Sequence, residues 1–283
     1  MALKTISSRQ INNMAALPNI GTPAFDTLDD ILAHIDAALA GVTSASGYFA
    51  QQVSLTSGIT SYAVTIPVQL DTSYVVYPML ENVVDTFPQF QQPLIINKTV
   101  TGFTVQFNAP LESNNYILTY VVPYKVFLEG EVSVPFNSSS NSVTLPLEQS
   151  SSIYGLISMI EDYNDSFPQY QTAIVTGQGP TAFVSSTNAP TTSSNYVTSY
   201  MVNATSRNNV GMSAVSVGVN FPINYNTTSY AVVAMMYNFS DANPQFQPLL
   251  VTSKTNSGCT FSWNAPTNTS NYVLSYYVIS LTP

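Results

Sequence analysis

The chain has 283 residues with six Lys+Arg, fifteen Asp+Glu and a formal net charge of −9, so a phosphate backbone would be repelled and nucleic-acid binding by charge neutralisation is excluded. Charged residues make up only 7%, against about a quarter in an ordinary soluble domain, while a 45% hydrophobic share with Tyr 18 and Phe 14 gives the chain enough apolar surface to fold. The single Cys259 excludes a disulfide framework, the single His34 removes histidine zinc sites and His–Ser or His–Cys nucleophile pairs, and neither an enzyme nor a cofactor is expected.

Residues 1–25 are polar and irregular, with Pro18, Gly21 and Pro23. They read as an extended arm whose order is borrowed from a partner, and Lys4 and Arg9 are its basic residues. The start has no continuous apolar stretch of the kind a secretory signal needs, and no apolar run approaches the roughly 18 residues of a spanning helix. Synthesis in a cytoplasm without export by that route, and no membrane insertion, are the expectations. Asp26–Asp30 then offers an N-cap and first-turn acids. Leu28, Ile31, Leu32, Ile35 and Leu39 recur at helical spacing up to Gly41. A helix this short is marginal alone in water, so its apolar stripe is expected to hold a homotrimer or to dock on another protein. His34 on that helix reads as a solvent-facing or contact-making residue.

From there the chain repeats itself three times. Asp85-Thr-Phe-Pro88-Gln89-Phe90-Gln91 returns as Asp165-Ser-Phe-Pro168-Gln169-Tyr170-Gln171 and as Asp241-Ala-Asn-Pro244-Gln245-Phe246-Gln247. Twenty residues after each proline stands Asn-Ala-Pro, beginning at Asn108, Asn188 and Asn264. Tyr116, Tyr196 and Tyr272 follow, then Tyr120, Tyr200 and Tyr276; upstream, Tyr74, Tyr154 and Tyr230, and Met79, Met159 and Met235, keep fixed distances from the proline. Tyr116, Leu118, Tyr120 and Val122 alternate with other residues, as do Phe103, Val105 and Phe107, which is the period of a strand. The Asn-Ala-Pro segments between them carry turn chemistry. The fold class expected is mainly β, with three tandem antiparallel β-sandwiches of five or six strands behind the arm and one short helix. The divisions are 1–45, 46–126, 127–206 and 207–283, with links near 124–130 and 201–211.

Within each copy the polar motif is the place to look for a site. Asp85, Asp165 and Asp241 suit a turn capped by a carboxylate, or a ligand loop. Gln89, Gln169 and Gln245 beside Phe90, Tyr170 and Phe246 pair an amide with a projecting aromatic, which fits either a sugar or a contact between subunits or domains. Cys259 takes the strand place of Phe103 and Phe183 and reads as a small buried hydrophobe. Tyr120, Tyr200 and Tyr276 read as core or interface aromatics. Sequons at Asn97, Asn137, Asn203, Asn226 and Asn268 follow from an Asn/Ser/Thr-rich surface.

The run Ile66-Pro-Val, Ser73-Tyr74, Asp85, Pro88, Lys98-Thr99, Thr101-Gly102-Phe103-Thr104 and Asn115-Tyr116 resembles the H-type lectin-like β-sandwich, with Thr181-Ala182-Phe183 and Ser257-Gly258-Cys259 in the place of Thr101-Gly102-Phe103. The resemblance implies the sandwich fold and assembly in trimers; it does not carry over a sugar site. Tandem domains of this composition behind an N-terminal anchor also look like bacteriophage head-fibre, decoration or tail-fibre proteins. The expected function is that of a structural virion protein on the particle surface, anchored to capsid, portal or tail proteins through residues 1–25, with a host-glycan adhesin as the alternative.

Overall fold

The computed structural model describes residues 47–123, 128–152, 154–163, 165–203 and 206–281. Lys4, Arg9, His34 and the stripe Leu28, Ile31, Leu32, Ile35 and Leu39 lie outside them, as do the arm, the helix and the trimer reading built on it. Among the described residues there is no helix.

Each copy supplies six strands. Copy 1 has β1 (Tyr48–Ser54), β2 (Ser61–Thr65), β3 (Tyr77–Glu81), β4 (Leu94–Thr99), β5 (Gly102–Gln106) and β6 (Ile117–Pro123). Copy 2 has β7 (Leu128–Ser133), β8 (Ser140–Thr144), β9 (Gly155–Asp162), β10 (Ala173–Gln178), β11 (Ala182–Thr187) and β12 (Tyr196–Asn203). Copy 3 has β13 (Ser206–Val210), β14 (Ser216–Asn220), β15 (Tyr230–Asn238), β16 (Leu250–Thr255), β17 (Gly258–Ser262) and β18 (Tyr272–Ser280). The first, sixth and third strands of a copy form one antiparallel half-sheet, and the second, fifth and fourth form another. The halves of a copy pack through Phe103 against Tyr120, Phe183 against Tyr200 and Phe261 against Tyr276, with ring centroids 5.5, 5.4 and 6.2 Å apart. Each copy is thus sandwich-like, and the three tyrosines are core residues.

The copies are not strung in a row, however. Every half-sheet continues into a half-sheet of another copy, giving three six-stranded sheets: β1-β6-β3-β16-β17-β14, β2-β5-β4-β9-β12-β7 and β13-β18-β15-β10-β11-β8. Copy 1 is joined to copy 2, copy 2 to copy 3 and copy 3 back to copy 1, so the copies are linked cyclically. The joints are short parallel pairings, Ile95 with Glu161, Val175 with Tyr237, and Leu80 and Glu81 with Leu250 and Val251. Strands run into both expected links: β7 begins at Leu128, β12 runs to Asn203 and β13 starts at Ser206. Period-two patterning reports which residues of a strand share a face; it carries no information on which strand lies next across an edge, so the sharing of sheets between copies leaves no trace in it.

The inner position of the third strands follows from their sequences. Leu-Ile-Ser-Met-Ile in β9 and Ala-Val-Val-Ala-Met-Met-Tyr in β15 are nearly continuous apolar runs, and both faces are buried along almost their whole length. This is how strands covered on both sides read. The outer strands β2, β8 and β14 instead alternate buried or half-buried with exposed positions. One apolar cluster takes in residues of all three copies, among them Leu80, Phe183 and Phe261, and Ser46–Pro283 is one compact unit.

A shared core and shared sheets make the copies interdependent. Heating or denaturant is expected to unfold the unit in one transition, with calorimetric and van't Hoff enthalpies equal. Calorimetry that resolves two or three separate transitions would show copies that fold independently.

Candidate functional site

The loop between the third and fourth strands carries the repeated motif, and hydrogen bonds fasten it to the turn between the fifth and sixth strands in the same way each time. The Asp85 carboxylate accepts from the Ser113 hydroxyl and from the side-chain amides of Asn115 and Asn82. Asp165 accepts from Ser193 at 2.6 Å and Asn195 at 2.5 Å. Asp241 accepts from Thr269, Asn271 and Asn238 at 2.5, 2.6 and 2.6 Å. These donors hold the Asp85 and Asp241 carboxyls below the usual carboxylate range. At Asp165 burial pulls the other way, and Ser193 and Asn195 lead the hydrogen bonds that outweigh it. The turn itself is capped one step upstream, where the side-chain oxygens of Asn82, Asp162 and Asn238 accept the N–H of the motif aspartate at 3.0 Å.

The glutamines are occupied as well. Gln89, Gln169 and Gln245 accept the N–H groups of Glu112, Thr192 and Asn268, each at 2.9 Å. Gln91, Gln171 and Gln247 accept those of Ala109, Ala189 and Ala265. Their own backbone is held too, since the N–H groups of Gln89, Gln169 and Gln245 donate to the hydroxyls of Tyr116, Tyr196 and Tyr272. The motif recurs because it staples two loops together.

The projecting aromatic is not the expected one. Phe90, Tyr170 and Phe246 are half-buried, and Phe90 and Phe246 pack on the core. The rings that stand out are Phe87 and Phe167, 89% and 92% exposed, at the place where copy 3 has Asn243. The copies themselves held the signal: position 90 stays aromatic in all three, as a core position must, while position 87 turns polar in one. The stapled loops of copies 1 and 2 therefore present an apolar ring, whereas that of copy 3 presents Asn243. Three of the sequon asparagines have a backbone role, since Asn97, Asn137 and Asn226 adopt φ of 52°, 58° and 56°, a region asparagine tolerates better than most residues. Cys259 is buried, and burial pushes its thiol up to about 12.

The sequence reading also passed over the charged groups at the joints. Lys98 of β4 reaches Glu161 of β9 at 2.9 Å and also bonds Glu131 of β7; its side chain is 1% exposed, and those of Glu161 and Glu131 are 0% and 9%. Lys254 of β16 reaches both oxygens of Glu81 of β3 at 3.1 Å. Burial works against the charge of Lys98, but two carboxylates outweigh it and its pKa is raised; beside one carboxylate, burial wins and Lys254 is lowered. Burial, and then the charge of Glu161, raise Glu131. The pointer was rarity: in a chain with six basic residues, Lys98 and Lys254 both stand ten places after a motif proline. Met79, Met159 and Met235 share the lining of one cavity with Tyr77, Gln92 and Gln247, where the flexible thioether chain suits an irregular space between copies.

Compared with known proteins, the chain matches no family model, no curated sequence and no solved structure.

Two predictions follow from these arrangements. Tyr196→Phe removes the acceptor of the Gln169 N–H and is expected to cost about 1–3 kcal/mol, read as a lower urea midpoint at unchanged slope, whereas Phe167→Ser stays within about 0.5 kcal/mol. A carboxyl whose folded-state pKa is raised favours the fold below its unfolded pKa and loses that contribution as pH rises through the raised value. Glu131→Gln is therefore expected to gain thermal stability relative to the parent as pH rises above 4.5, the ordinary value for glutamate; melting curves from pH 4 to 8 check it, and a flat difference would contradict it.

Proposed function

We propose that the chain is a non-enzymatic attachment protein of a bacteriophage particle, a fibre or decoration protein held by its N-terminal residues and displaying Ser46–Pro283. The observation that carries this reading is the stapled loop. Three copies spend their repeated Asp, Gln and Tyr groups on fixing a loop, and the loops of copies 1 and 2 end in an exposed phenylalanine. A rigid loop with an exposed ring is suited to contact, because little conformational entropy remains to be lost on binding. The low charge and the triplication support the reading, and so does the cyclic link between copies, a single-chain counterpart of the trimers that the H-type lectin-like resemblance implies. Localisation on the virion surface belongs to the same proposal. So does a homotrimer, which would rest on the stripe Leu28, Ile31, Leu32, Ile35 and Leu39, since the sheets of Ser46–Pro283 find their partners within the chain.

A host-glycan adhesin is the second reading, favoured by Phe87 and Phe167, whose ring faces can stack on a sugar. The amides and carboxylates that would grip sugar hydroxyls are already engaged inside the loops, which supports the structural reading over the adhesin.

Deleting residues 1–25 is expected to leave the β-structure intact and abolish incorporation into the particle, with copy number measured by quantitative mass spectrometry. Normal incorporation of the truncated chain would move the attachment point to a β-copy. On intact particles, Phe87→Ser with Phe167→Ser is expected to leave incorporation unchanged; a loss of adsorption to host cells would favour the adhesin reading.

A further inference from the structure

The three joints occupy equivalent positions but are built from different groups. Each has a residue of the copy's first strand (Gln52, Glu131 or Arg207), which faces Thr119, Ser199 or Ser275 across the ladder. Each has a residue of the third strand seven places before the motif proline (Glu81, Glu161 or Tyr237), and one from the fourth strand of the neighbouring copy ten places after it (Lys254, Lys98 or Gln178).

Between copies 3 and 1, Lys254 bonds Glu81, and the Gln52 amide donates to Glu81 at 2.9 Å. Between copies 1 and 2, Lys98 bonds Glu161 and Glu131. Between copies 2 and 3 the cation comes from the other side: Arg207 donates to the Gln178 side-chain oxygen at 2.8 Å, with its guanidinium 4.8 Å from the Tyr237 ring centroid. A backbone carbonyl takes the cation every time, that of Tyr74 from Lys98, of Tyr154 from Arg207 and of Tyr230 from Lys254. Each joint thus holds one basic side chain on a common acceptor.

We infer that these groups form a pairing code which fixes the cyclic order of the copies and penalises the mismatched joints that copies of this chain or of a second chain could otherwise form. Fourth strands carrying Lys98 or Lys254 are disfavoured beside the first and third strands of copy 3, because Lys would meet the half-buried Arg207 without a carboxylate between them. The fourth strand of copy 2 cannot join copy 1 or copy 2, because Glu81, or Glu131 with Glu161, would be buried facing Gln178 without a cation. Leaving a buried charge without its partner costs several kcal/mol. The reversed cyclic order and rings made of copy 2 alone or copy 3 alone from several chains each contain such a joint; the observed order contains none, and neither does a ring of copy 1 alone, which the joining of the three copies in one chain disfavours by raising their effective concentration. Three copies with one backbone plan would otherwise be free to pair in any order, and this is discrimination by penalty on the wrong partner.

The test homogenises the joints. Gln178→Lys, Arg207→Gln and Tyr237→Glu together give the third joint the groups of the first, so that every pairing holds a cation and a carboxylate. The full-length parent and this variant are refolded from denaturant over a hundredfold range of concentration and sized by light scattering after gel filtration. The parent is expected to return one species at every concentration, and the variant a fraction above that species larger by about fivefold and rising with concentration. If the triple variant does not refold, Glu81→Gln with Lys254→Gln, which removes both charges from one joint, is measured in the same way with the same expectation. A variant that refolds as cleanly as the parent overturns the code, and so does a parent that itself yields mixed, concentration-dependent species.

Discussion

Everything in this fold depends on the fact that a three-stranded half-sheet has an inner edge it cannot leave open. The inner edges here belong to β3, β9 and β15 on one side and to β4, β10 and β16 on the other. The third strands are buried on nearly all sides, and an unpaired edge among them would strand backbone N–H and C=O groups away from water. Each copy closes the edge of another, and since three copies do this in turn no inner edge is left over. The outer edges β2, β8 and β14 can stay at the surface because their exposed positions are small or polar, Ser, Thr, Gly, Asn and one Ala.

The parallel pairings at the joints are too short to hold the ring by backbone bonds alone, and side chains complete them. The fourth strand of every copy shifts register just there, between Ile96 and Thr99, Val175 and Gly177, and Val251 and Ser253. A bulge re-aims the residues that follow it, and Lys98, Gln178 and Lys254 all lie at or directly after the shift. The same local irregularity thus delivers three different groups to three different partners. Buried polar groups of this kind add less to stability than to the choice of partner, and choice of partner is the problem that a triplicated chain has to solve.

The loops answer a separate demand. In a chain with 7% charged residues, the loop ends cannot rely on ion pairs, so amides, hydroxyls and three repeated carboxylates hold them. Once Asp85, Gln89, Gln91 and Tyr116 are bonded to one another's loops, the groups that looked most like a polar ligand site are used up. What faces outward in copies 1 and 2 is the ring that the motif carries one place before its proline, Phe87 or Phe167.

The sequence by itself determined the β class, the threefold repeat, strands of clean alternation such as β5, and the existence of a shared motif loop, and it narrowed Tyr120, Tyr200 and Tyr276 to core or interface positions. All of these follow from spacing along one strand or across one turn, which is local chemistry that periodicity records. It did not determine that β4 lies beside β9 or that Lys98 meets Glu161, 63 residues away, because edge pairing between copies is chosen by the sum of many weak contacts with no short-range trace. Which aromatic of the motif points out is hinted at in the sequence only by comparing the copies, where Phe87 gives way to Asn243 and Phe90 stays aromatic; within one motif the two rings are chemically alike, and the packing of Phe90 onto the core is what separates the ring that holds the loop from the ring that is left to meet a partner.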